Sequence, residues 1–112
     1  MPFRDARMIF VGFEISKQDY PELLKISSDP LPERFISWKL QMEKLMGRAT
    51  RGDWIFHEGV EVKPESLVYW CESNGRPIDR DSRKAYIREV FIQRERIQPD
   101  WSVYNKITPL SL

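Results

Sequence analysis

Residues 8 to 15 read Met-Ile-Phe-Val-Gly-Phe-Glu-Ile, a nearly unbroken apolar run of aromatic and β-branched types, too short for a helix and bounded by charge. Both faces of such a strand are apolar, which predicts a central position in a sheet. The chain has 112 residues, enough for one core and one domain spanning 1–112. No internal repeat, low-complexity segment or long linker divides it.

Helix signals cluster between Lys63 and Ile97. Pro64 suits a first helical turn, Glu65 complements the positive end of the helix dipole, and Asn74 with Gly75 provides the left-handed close, so a helix is predicted from about 64 to 74. Asp79 or Asp81 can cap the next helix, in which Tyr86, Ile87, Val90, Phe91 and Ile97 recur at the helical period up to the stop at Pro99. Its polar face reads Arg80, Arg83, Lys84, Arg88, Glu89 and Glu95. Earlier in the chain, Asp19 is placed to cap a short helix carrying Tyr20, Leu23 and Leu24. Beyond the Asp29 to Pro32 break, Phe35, Trp38, Met42, Leu45 and Met46 trace another helix as far as Gly47.

The remaining strands are read from short patterns. Trp54 to Phe56 and Val60 to Val62, separated by His57, Glu58 and Gly59, predict a hairpin. Trp101, Val103 and Ile107 alternate with polar residues and predict a half-buried strand ended by Pro109. The resulting order, βααββααβ, predicts an α+β fold with a small antiparallel sheet, helices on one face and a ferredoxin-like arrangement.

Composition narrows function by exclusion. With 41% hydrophobic and 31% charged residues and a formal net charge of +1, the chain reads as a folded, soluble, cytoplasmic protein rather than a disordered or polyelectrolyte one. Its apolar runs fall well short of the ~20 residues that a membrane span needs. One cysteine and one histidine cannot assemble a structural zinc site, and Cys71 reads as a structural thiol. His57 and Glu58 are adjacent, so on an extended backbone their side chains point apart, which argues against an acid–base pair. Phosphate loops, nucleophile elbows and metal-ligand spacings are missing, so no catalytic residue, metal or cofactor is expected.

Three interaction readings survive. A nucleic-acid surface would use the basic helix, since residues 76–96 hold seven lysines or arginines against four acids, with Arg80, Arg83, Lys84 and Arg88 on phosphate and weak, salt-dependent binding. A helix-turn-helix with Gly75 at the turn does not fit, because Arg76, Asp81 and Lys84 would occupy core positions. Ile9-Phe10-Val11-Gly12 resembles the first-strand signature of RNA-recognition-motif domains, but the second signature would put Asp53 in an aromatic's place, and no family is assigned.

The leading reading is a non-enzymatic protein-interaction module, a homodimer that also binds another protein. Tryptophans 38, 54, 70 and 101 with Met42 and Met46 are a large apolar complement for one small core. Ile36 and Leu40 lie off the main stripe of their helix, and Ile92 lies among charges on the basic helix, so these three are the expected interface residues. The same surplus would suit a third reading, a pocket for a small ligand.

Overall fold

In the computed structural model, which describes residues 7–49, 55–97 and 101–112, the chain runs β1 (Met8–Glu14), α1 (Tyr20–Ile26), α2 (Phe35–Ala49), β2 (Ile55–Glu61), α3 (Pro64–Ser73), α4 (Arg80–Arg94), α5 (Trp101–Tyr104) and β3 (Ile107–Leu110). The strands form one sheet in the order β2-β1-β3 with both pairings parallel. β1 is central, as its two apolar faces predict, and five of its seven residues are buried.

Three expectations about the strands are corrected. The sheet is parallel, not antiparallel, and the ferredoxin-like arrangement falls with it. The expected hairpin is a single strand: β2 runs straight through His57, Glu58 and Gly59, and each residue pairs in register with β1 from Met8↔Ile55 to Glu14↔Glu61. Trp54, the hairpin's first residue, lies outside the described residues. The alternation from Trp101 to Ile107 belongs to a helical turn, and β3 begins only at Ile107 and includes Pro109. Proline is tolerated there because β3 is an edge strand, with no neighbour awaiting a donated N–H on its outer side.

Helices cover both faces, which corrects the expectation of one covered face. Gly12 faces α2, because a Cβ built on it would lie 3.0 Å from the Met46 sulfur. The neighbouring Val11 points the other way and pairs with Glu58, whose carboxylate meets Arg94 of α4 at 3.4 Å. Connectivity accounts for the split. β1 to β2 crosses over in one direction and β2 to β3 returns past β1 in the other, so crossovers of one hand leave their helices on opposite faces.

The helix ends carry the chemistry their sequences predict, with one exception. At α4 the Asp79 carboxylate accepts from the Ser82 amide at 2.9 Å, which holds its pKa below the usual carboxylate value. α3 closes with Asn74 as its cap and Gly75 at φ +61. Asp19 does not cap α1 through its side chain; its carboxylate meets Lys63 at 3.4 Å instead. The core gathers Ile9, Val11 and Phe13 of β1 with Leu23, Trp38, Leu67, Ile87 and Phe91 from the helices. Among the described residues no helix is long and apolar enough to cross a membrane.

Candidate functional site

α2 crosses the sheet over two glycines. Gly12 and Gly59 are direct partners in the β1–β2 register, so one patch of this face is bare backbone. Met46 fills the space above Gly12, and the Glu14 carboxylate folds over Gly59. Trp38 and Met42 are buried beneath α2, with Phe35, Leu45 and Met46 partly buried beside them. Spacings of three and four place these side chains on one stripe.

The start of α2 rests on an aromatic cluster. Trp38 stacks on Phe35 at 5.9 Å between ring centroids and meets Phe13 edge-on at 6.3 Å, while Tyr20 reaches both Phe35 and Trp38 at 5.6 Å. The Tyr20 hydroxyl donates to the Pro32 carbonyl at 2.5 Å, fixing the α1–α2 connection. Burial pushes this phenol's pKa up, against the opposing pull of Arg83.

Beside this cluster, over β1 and β2, opens a cleft of about 500 Å³. Its walls are Phe13, Phe35, Trp38, Met42 and Met46, its floor Gly12 and Gly59, and its rim Glu14, Lys39, Glu43 and His57. It lies toward the carboxyl ends of parallel strands, where open α/β sheets place their ligands. Next to it, on the outer side of α2, Ile36 and Leu40 are each 50% exposed. Ile36, Lys39, Leu40, Glu43 and Gly47 follow helical spacing and share this side.

The expected interface residues therefore divide. Ile36 and Leu40 stand one turn apart on one surface, whereas Ile92 belongs to α4, across the sheet, and is partly buried against the core. Of the expected tryptophans, Trp38 is buried and Trp70 partly buried, where it donates to Glu89 at 2.5 Å. The Trp101 side chain lies outside the described residues.

The four basic residues of the nucleic-acid reading do not form one surface. Arg83 is 1% exposed; it makes a two-pronged pair with Asp29 at 2.8 and 2.5 Å and also donates to Ser27 Oγ at 3.2 Å and the Leu112 main-chain oxygen at 2.7 Å. Arg80 donates through Nε to the Ser111 carbonyl at 3.2 Å, Arg88 lies 5.5 Å over the Tyr104 ring, and Lys84 is partly buried. A signal for Arg83 was present in the sequence. It stands four residues before Ile87 and eight before Phe91, in line with the buried stripe.

His57 is exposed on β2 and lines the cleft, while Glu58 is engaged by Arg94 on the opposite face. Cys71 is buried, and desolvation raises its thiol pKa despite the nearby Arg76. Among the described residues no three histidine, cysteine or acidic side chains are grouped to hold a metal. No family model, curated protein or solved structure matches this chain.

Proposed function

We propose that the chain is a non-enzymatic protein-interaction module that pairs with a second copy of itself through the outer side of α2. The observation that carries this reading is the placement of half-exposed Ile36 and Leu40 beside an open, methionine- and aromatic-lined cleft on the same helix. Methionine-rich surfaces repack around a partner, and interface cores are enriched in aromatics and methionine.

Charge complementarity favours a copy of the same chain. If two α2 helices lie antiparallel about residue 41, Lys39 of each faces Glu43 of the other. The same register runs the half-exposed Ile36 and Leu40 of both chains along the seam, with Gly47 leaving room for Ile36. Such a two-fold contact uses one patch twice and closes on itself.

Burying the exposed halves of Ile36 and Leu40 contributes about 1 kcal/mol each, or about 4 kcal/mol per dimer. Association costs at least that much in lost translational and rotational freedom, so the pairing depends on the cleft as well and is expected at roughly micromolar to hundreds of micromolar. Light scattering over a concentration series should show a rising mass. Leu40→Glu should remain monomeric throughout, with unchanged circular dichroism and melting temperature, because Leu40 is not core. A wild-type chain that is monomeric at the highest concentration removes this reading. The cleft's volume also supports a small apolar ligand as a second reading, and Leu40→Glu would leave such binding intact.

A further inference from the structure

We propose that the cleft on the other flank of α2, between that helix and the end of β3, binds a phosphate monoester carrying a small apolar body. This cleft has a volume of about 480 Å³. Lys44 and Arg48 enter it from successive turns of α2, and Arg80 enters from the first turn of α4. Asp29 is the one acidic side chain among its lining residues, and that charge is already taken by the two-pronged pair with buried Arg83.

Three cations thus face one cavity, and among the described residues none of them has an ion-pair partner. Lys44 and Arg48 are a like-charge pair at i, i+4, an arrangement that disfavours the free helix and is relieved by an anion between them. Arg80 is held in place: its Nε donates to the Ser111 carbonyl, while no acceptor among the described residues takes its terminal nitrogens. An anchored guanidinium with a free fork suits the paired oxygens of a phosphate. Leu45 and Leu112 complete the wall and supply apolar contact for the ester group.

A small ligand fits better than a nucleic-acid strand. A strand needs a continued track of cations, and the next basic residues along α4 are otherwise placed, with Arg83 buried, Lys84 partly so and Arg88 over Tyr104.

The test is a proton–nitrogen NMR titration of the full chain at low salt with phenyl phosphate. Saturable shifts are expected at Arg80 Nε–Hε and at the amides of residues 44 to 48. Inorganic phosphate should bind the same place more weakly, and phenol should leave it unmoved. Arg80→Gln and Arg48→Gln should each weaken phenyl phosphate roughly ten- to hundredfold, as loss of a bond to a charged group does. Lys25→Gln, on exposed α1 surface, should change nothing. Arg48→Gln keeps the test decisive if Arg80→Gln disturbs the Ser111 contact, since the hydrogen bond of Arg48 Nε is to its own helix, at Lys44 O. Shifts that never saturate, or that survive both substitutions, overturn the proposal. So does tighter binding of a single-stranded oligonucleotide with shifts spreading along Lys84 and Arg88.

Discussion

Among the described residues Arg83 is the largest side chain that the fold hides completely, and its guanidinium ties α4 to the segment just after α1, at Ser27 and Asp29, and to the main chain beyond β3 at Leu112. A charge that deep is tolerated because all its partners are present, and removing it strands the carboxylate it pairs with. Arg83→Met is therefore expected to destabilise the chain by about 3 kcal/mol in urea denaturation, near the low end for a broken buried pair because the Asp29 side chain keeps 24% of its exposure. Adding Asp29→Leu should recover part of that loss, since no unpaired charge then remains. A double variant as unstable as the sum of the two singles would mean that the two groups do not act as a pair. Read by composition, Arg83 belongs to a solvated polar face. Read by position, it extends the Ile87–Phe91 stripe, and position decides.

At the scale of elements, local signals were legible and distant pairings were not. β1, α3 and α4 announce themselves through an unbroken apolar run, Pro64, Asn74-Gly75 and Asp79, each of which acts on backbone within a few residues. β2 is concealed in the sequence because an edge strand admits polar residues, so His57-Glu58-Gly59 resembles a turn although it lies inside a straight strand. Its parallel pairing depends on contacts about 47 residues apart, as in Gly12↔Gly59, which no local pattern specifies. The cleft was equally hidden, because its floor exists only when these two glycines meet.

Those glycines should respond oppositely to a side chain. Gly59→Ala displaces only the tip of exposed, flexible Glu14 and narrows the unfolded ensemble, so a gain of about 0.5–1 kcal/mol is expected. Gly12→Val drives a branched side chain into Met46 under α2 and should cost about 1–3 kcal/mol by overpacking. Thermal melts of the two variants test the pair, and equal signs would contradict the packing described.

The whole molecule is thinner than its length requires. Its radius of gyration is 14.2 Å, against about 13 Å for a compact chain of this size. Its extents are 38 × 31 × 19 Å. A flat molecule covers less of its apolar surface, and here the thin cover is α2: one helix about 10 Å wide lies over three strands spanning about 14 Å, with a cleft along each flank. A second α2 laid antiparallel across the first would close the flank over β1 and β2 while leaving the basic flank open, so pairing and anion binding need not compete. The register proposed for that contact makes a charge prediction independent of the apolar residues. Lys39→Glu would set two pairs of like charges facing each other, and Glu43→Lys would do the same with the opposite sign. Each single variant should therefore weaken self-association, by roughly tenfold or less, because exposed ion pairs contribute only about 0.2–1 kcal/mol each. The double variant Lys39→Glu with Glu43→Lys restores opposite charges in the same register and should dimerise as the parent does. Sedimentation equilibrium on the four chains at two salt concentrations reads the cycle, and the differences should shrink at the higher salt. If the double variant associates no better than the singles, α2 does not pair antiparallel about residue 41.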